Sequence, residues 1–176
     1  MGIAGLSLRV VAAEADMPLS AVSYYFEGKD DLIQAAFERH IQRETARVTR
    51  AIARIGESQS AADLGDRLAD FVIAGLTDTR LHIVSEYEFT IEAVRRPALA
   101  KAAAAWQATL NAQLQAVTES LNSTSPKSDA RLILAVLAGL EVDQLATHLT
   151  SSDARTITEV LRRLLLALEM AWHAGE

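Results

Sequence analysis

The 176-residue chain contains no cysteine, which excludes a disulfide framework and any thiolate metal site. Proline is scarce, with three in all, and no apolar run approaches the roughly 18 residues that a membrane span requires. The first residues lack the basic-then-apolar pattern of a secretory signal, so a cytoplasmic location is expected. Positive charge is also in short supply: 17 Lys and Arg stand against 23 Asp and Glu, a net charge of −6. A chain of that balance does not bind nucleic acid over its whole surface, but a small DNA-reading head on an acidic body remains compatible with it.

Catalytic signatures are missing too. The sequence has no Gly-rich phosphate loop, no nucleophile elbow and no His-Glu-x-x-His. His82 and Glu86 share a helical face, with Glu88 and Glu92 nearby, but a carboxylate-bridged metal bundle needs Glu-x-x-His pairs on two helices. A solvated charged face explains them. No enzymatic activity, cofactor or metal site is expected.

What the chain does have is apolar residues at helical spacing. Half of all residues are apolar and 23% are charged, a globular composition, and the length admits one or two domains. Residues 7–26 read as two short helices about a tight connection. Ser7 suits an N-cap, and Leu8, Val11, Ala12 and Ala15 share a face of the first helix. Asp16-Met17-Pro18 breaks it, because a residue before proline is pushed out of the helical region. A second helix spans roughly 18–25, with Pro18 in its first turn.

A third helix opens near Lys29, with Asp30 and Asp31 in the turn where the helix dipole favours negative charge. Its apolar positions run from Leu32 to Ile55 at helical spacing, Arg39, Arg43, Arg47 and Arg50 fall on another face, and Gly56 is a credible stop. The arginines read as a solvated face. Ser60 with Asp63 resembles a capping box, opening a helix with Leu64, Leu68, Phe71, Val72 and Leu76. Pro97 opens another, and 122–128 is a loop by composition. Two more helices are expected at about 129–149 and 153–173, each apolar around much of its circumference. Segment 81–93 alternates apolar and polar residues as a strand does. No other segment could pair with it, and Arg95-Arg96 before Pro97 suits a helix end, so it too is assigned to helix.

Two short helices joined by a turn are common, and periodicity alone leaves generic packing open. The string over 7–32 is more specific. Ala12 and Ala15 keep the first helix small, Tyr24-Tyr25-Phe26 ends the second, and Gly28-Lys29 precedes an acidic, Leu-bearing third helix. In these features the segment resembles the helix-turn-helix of TetR-family transcriptional regulators. Tyr87-Glu88-Phe89 and Arg95-Arg96-Pro97 are similar to one actinobacterial-type branch of that family. Asp16 stands where members usually have Gly, and Ser23 where many have Tyr. The family head also begins with a helix some fifteen residues ahead of Ser7. Only six residues precede Ser7 here, so the head is expected to lack its first helix, and with it part of the cover for Leu8, Val11 and Phe37. Local charge is poor as well: through residue 30, Arg9 and Lys29 face Glu14, Asp16, Glu27 and Asp30.

The resemblance implies an all-α fold with a helix-turn-helix head at 1–40 and a helical effector-binding and dimerisation body at 41–176. It implies a repressor released from a double-stranded DNA operator by a small molecule. The alternative is a helical ligand-binding dimer that has lost DNA binding. The second helix would enter the major groove, with Pro18, Leu19, Ser20 and Ala21 toward base edges. Ser7, Ser23, Tyr24 and Tyr25 would offer hydroxyls to phosphates, and Lys29 would add charge at a helix N-terminus. Tyr25 divides evenly between this role and core packing. The last two helices would form a homodimer interface through Leu132, Val136, Leu137, Leu145, Val160, Leu161, Leu164, Leu165, Leu168 and Trp172. The effector would meet Phe71, Ile83, Tyr87, Ile91, Trp106, Leu110 and Leu140, with Glu86, Gln107 and His148 as polar anchors.

Overall fold

The computed structural model describes residues 3–174. Among these the chain is all-α, with eight helices and no strand: α1 (Leu8–Glu14), α2 (Leu19–Tyr25), α3 (Lys29–Ile55), α4 (Ala61–Asp78), α5 (Arg80–Ala93), α6 (Pro97–Ser120), α7 (Pro126–Gln144) and α8 (Ser151–His173). Segment 81–93 is helical, as its context requires. The chain divides into two compact units, one of Met1–Thr45 with Ser85–Ala105, the other of Ala46–Val84 with Trp106–Glu176.

In the first unit, Ile33 and Phe37 of α3 pack with Phe89 and Ala93 of α5 and Leu99 of α6. The Phe37 and Phe89 rings lie 4.9 Å apart and tilted, within the favourable range for an aromatic pair. Ahead of Ser7 the chain makes one 3-10 turn, Ile3–Gly5, and Ile3 and Leu6 pack against this same cluster. Phe37 is buried, while Leu8 and Val11 are half-buried. The guanidinium of Arg96 pairs with Glu92 one turn back, at 2.7 Å, and with Asp30 at the start of α3.

The second unit is organised on α4 and α8. Leu64, Leu68, Val72 and Leu76 form one stripe of α4, and Ile157, Leu161, Leu165 and Trp172 form one stripe of α8. Each large aliphatic side chain buried this way contributes about 1.5–3 kcal/mol. Gly65 lets the two helices meet backbone to backbone: a Cβ there would lie 3.2 Å from Arg162 Cα. Ala130, Ile133 and Leu137 of α7 complete the core.

Local chemistry sets the helix ends. Ser60 Oγ accepts from Asp63 N–H at 3.2 Å, and the Asp63 carboxylate accepts from Gln59 N–H, one residue further back than a standard box. Thr150 and Asp153 make the full reciprocal box at α8. α7 begins at Pro126, three residues before the sequence pattern suggests, because proline's missing N–H is harmless in a first turn. It ends at Gln144, where Arg80 caps it: the guanidinium donates to Leu145 O and, at 2.5 Å, to Thr147 O. Buried Thr118 donates to Gln115 O (2.9 Å) and lies 3.2 Å from Pro126 O, tying the end of α6 to the start of α7. No helix among the described residues is long and apolar enough to cross a membrane.

Candidate nucleic-acid interface

The connection between α1 and α2 is built by its backbone. Asp16 sits in the left-handed region at φ 52°. Its N–H donates to Ala13 O at 3.3 Å, and Met17 N–H reaches back to Ala12 O at 2.9 Å. That pair of bonds is a Schellman ending, which usually carries Gly at the left-handed position. Asp is among the side chains that tolerate it. Pro18 follows in extended geometry, and its carbonyl accepts from Ala21 N–H at 3.0 Å to start α2.

Two small apolar residues lock the pair of helices. Ala12 of α1 is 3% exposed and Val22 of α2 is 4% exposed. With those facing inward, helical geometry turns the opposite side of α2 outward. Pro18, Leu19, Ser20, Ser23, Tyr24 and Tyr25 are all exposed, and Ala21 is half-buried. Tyr24 is 83% and Tyr25 70% exposed, so the second tyrosine is a surface residue. Their rings meet edge to face, 5.2 Å between centroids, which leaves both phenol groups in solvent.

The flanking positions differ in character. Ser7 is half-buried, and its Oγ caps α1 by accepting from Val10 N–H at 3.2 Å, which leaves the hydroxyl hydrogen free to turn outward. Lys29 is half-buried at the first position of α3. The chain's own carboxylates crowd that helix start: Asp31 Oδ2 accepts from Glu27 N–H at 3.1 Å, and Asp30 is held by Arg96.

The residues proposed from sequence for an effector differ in exposure. Ile83 and Trp106 are buried; Phe71, Glu86, Tyr87, Leu110 and Leu140 are half-buried; Ile91, Gln107 and His148 are exposed. Ile83 Cδ1 lies against Gly75, and Phe71 lies under the Arg47 guanidinium. Of the ten residues expected at a homodimer interface, Leu137, Leu161, Leu165 and Trp172 are buried within the single chain. Val136, Leu145, Leu164 and Leu168 are half-buried, and Leu132 and Val160 are 44% and 36% exposed. Sequence reasoning passed over a second set of exposed positions. Ala135, Gly139 and Val142 extend the Leu132 stripe along α7, while Ala167 and Ala171 extend the Val160–Leu164 stripe along α8. Their signal was present in the helical spacing, but small residues attract little notice there.

Comparison with known proteins follows the same lines. Residues 59–167 match the family described as the tetracyclin repressor-like C-terminal domain. A structure of a TetR-family member from Streptomyces coelicolor A3 superposes with a TM-score of 0.74 at 38% identity, covering 93% of this chain and 88% of that one. The multidrug binding protein EbrR complexed with ethidium gives a TM-score of 0.70 at 38% identity, over 92% of this chain and 88% of its own. The nicotine-responsive transcriptional repressor HdnoR of Paenarthrobacter nicotinovorans is 33% identical over 97 residues, 54% of this chain and 48% of the repressor. The matched segment thus spans about half the length of that curated relative.

Proposed function

This chain belongs to the TetR family, and from that premise we propose that it is a homodimeric repressor whose grip on double-stranded operator DNA is loosened by a small molecule. One observation carries the reading. α2 turns Leu19, Ser20, Ser23, Tyr24 and Tyr25 into solvent while Ala12 and Val22 hold it from behind. A two-turn helix supported in this way fits the major groove, with Pro18, Leu19, Ser20 and Ala21 at base edges. Ser7, Ser23, Tyr24, Tyr25 and Lys29 then meet phosphates.

Two such heads are needed to read two half-sites, which a two-fold dimer supplies. The paired stripes Leu132/Ala135/Gly139/Val142 on α7 and Val160/Leu164/Ala167/Ala171 on α8 suit a four-helix contact with a second copy. Among the described residues nothing lies within 4 Å of a Cβ placed on Gly139, so a partner helix can approach closely there. Response to a small molecule is supported by similarity to a repressor named for nicotine and to a protein that binds ethidium. Phe71, Ile83, Glu86, Tyr87, Ile91, Trp106, Gln107, Leu110, Leu140 and His148 are the proposed contacts. Binding would shift the population between a DNA-competent state and one that is not.

A gel-shift titration of the chain against DNA upstream of its own gene, with excess unrelated duplex as competitor, tests the reading. A discrete complex that survives competition is expected. Loss of every shift to competitor at about 50 mM salt, where phosphate contacts are strongest, overturns it and leaves a helical dimer without a DNA role.

A further inference from the structure

In a protein of net charge −6, four arginines gather at one cleft outside the head. A cleft of about 410 Å3 runs between the last turns of α3 and the middle of α4. Arg47, Arg50, Arg54 and Arg67 line it, with Asp70 as the one carboxylate and Phe71 as an aromatic wall. Four arginines meet there and no lysine, and the flat guanidinium fork is the side chain that matches a carboxylate in two bonds at once.

The arginines divide into two kinds. Arg67 is committed to the fold: its Nε donates to Asp63 at 3.0 Å and its NH1 to Arg54 O at 2.7 Å, with Glu57 at 3.9 Å. Arg47 stands over the Phe71 ring, 4.3 Å from Cζ to centroid, and so orders the wall of the cleft. Arg50 and Arg54 are exposed, and among the described residues neither is in an ion pair. Arg50 and Arg54 lie four residues apart along α3, a spacing at which like charges repel and weaken the helix. An anion between them removes that repulsion.

The site's shape decides what kind of anion. The cleft falls at the small-molecule end of binding-site volumes, and its other lining residues, Ala51, Ile55 and Ala74, are apolar. Glu57, Asp63 and Asp70 flank the arginines, which opposes a long polyanion and tolerates a single compact charge. We propose that this cleft binds an aromatic carboxylate, its ring against Phe71 and its carboxylate on Arg50 and Arg54. The cleft shares Phe71 with the proposed effector contacts but adds the arginines, and binding there does not depend on whether the head reads DNA.

Isothermal titration of the full chain, without DNA, tests it. The probes are 2-naphthoate and its neutral analogue 2-naphthylmethanol. Naphthoate is expected to bind with a Kd of about 1 mM or tighter, weakening as salt rises, and the alcohol about tenfold more weakly or worse. Arg50→Gln with Arg54→Gln should cost naphthoate about tenfold or more, since two charge-assisted bonds go. Both residues are exposed, so the variant should melt with the parent, and Arg50→Gln alone serves if the pair does not. Phe71→Leu should weaken both probes. Equal affinity for acid and alcohol, unchanged naphthoate binding in the arginine variant, or no heat at all overturns the proposal.

Discussion

The indole N–H of Trp172 donates to Asp129 Oδ2 at 2.7 Å, joining the last turn of α8 to the first turn of α7 across 43 residues of sequence. The same oxygen accepts from Ser123 Oγ at 2.5 Å. Asp129 is 8% and Trp172 3% exposed, so neither group has water as a substitute partner. The first-turn dipole of α7 further favours the carboxylate. Asp129→Ala leaves a buried indole N–H unsatisfied and takes the acceptor from a half-buried hydroxyl, and should lower the unfolding free energy by about 2–3 kcal/mol. Asp129→Asn, which keeps an acceptor oxygen, should cost roughly half of that. Urea unfolding at fixed protein concentration measures both, and an alanine variant as stable as the parent would show that the contact is idle.

Gly65 makes the opposite kind of demand. Helix propensity alone says that Gly65→Ala in the second turn of α4 should stabilise by about 1 kcal/mol. The new methyl, however, would face Arg162 Cα at 3.2 Å, Arg162 N at 3.3 Å and Leu161 O at 3.3 Å, all of them backbone. Backbone of a packed helix does not rotate aside, so α4 and α8 must separate along their buried stripes. The overpacking cost, about 1–3 kcal/mol, should win and lower the melting temperature by several degrees. A rise in melting temperature would mean that the two helices are free to slide apart without loss.

How far such features were legible depends on whether they are local. The turn at Asp16 was, because its left-handed φ follows from a family position that is usually Gly and a residue that tolerates the same geometry. Segment 81–93 was ambiguous by periodicity, since Ile83, Phe89 and Ala93 are buried while Leu81 and Ile91 stay exposed. Apolar residues on every side of α5 blur a helical stripe into an alternation. The evenly divided case of Tyr25 needed coordinates, because a ring after Val22 turns in or out according to what packs behind α2. The largest apolar residues of α8 suggested a partner surface. Leu161 and Leu165 go to α4 instead, and no local pattern tells one apolar neighbour from another. The arginine row on α3 was visible as spacing, but the cleft was not, because Phe71 and Asp70 come from a different helix.

Two helix starts should make the protein acid-sensitive. The Asp63 carboxylate is held below its ordinary value by the Arg67 hydrogen bond first and the Gln59 N–H second, and Asp153 is held below its own by the Thr150 hydroxyl and N–H. A carboxyl more acidic when folded than when unfolded stabilises the fold above the ordinary Asp value of 3.8. That contribution is lost as pH falls through the folded-state value. The melting temperature should therefore hold steady from about pH 7 to 5 and decline below about 4. Asp63→Asn with Asp153→Asn should lower it at neutral pH and flatten the acid decline. Parallel curves for variant and parent would assign the acid transition to other carboxylates.

At the head, stability and recognition can be separated because the relevant side chains are exposed. Tyr24 is 83% exposed, so Tyr24→Phe should change the unfolding free energy by no more than about 0.5 kcal/mol. If its hydroxyl meets a phosphate oxygen, the loss is one hydrogen bond, about 1 kcal/mol or roughly fivefold in affinity, and equal for every duplex. The salt dependence should not move, since tyrosine displaces no counterion. Lys29→Gln should behave differently and reduce the salt slope by about one. Ser20→Ala should act on neither term but relax the preference at a single base pair, because a hydroxyl at a base edge discriminates where one at a phosphate cannot. Fluorescence-anisotropy titrations of the three variants on an operator and on single-pair substitutions of it resolve these patterns. If Ser20→Ala and Tyr24→Phe both leave operator binding as it was, α2 is not the helix that reads the groove.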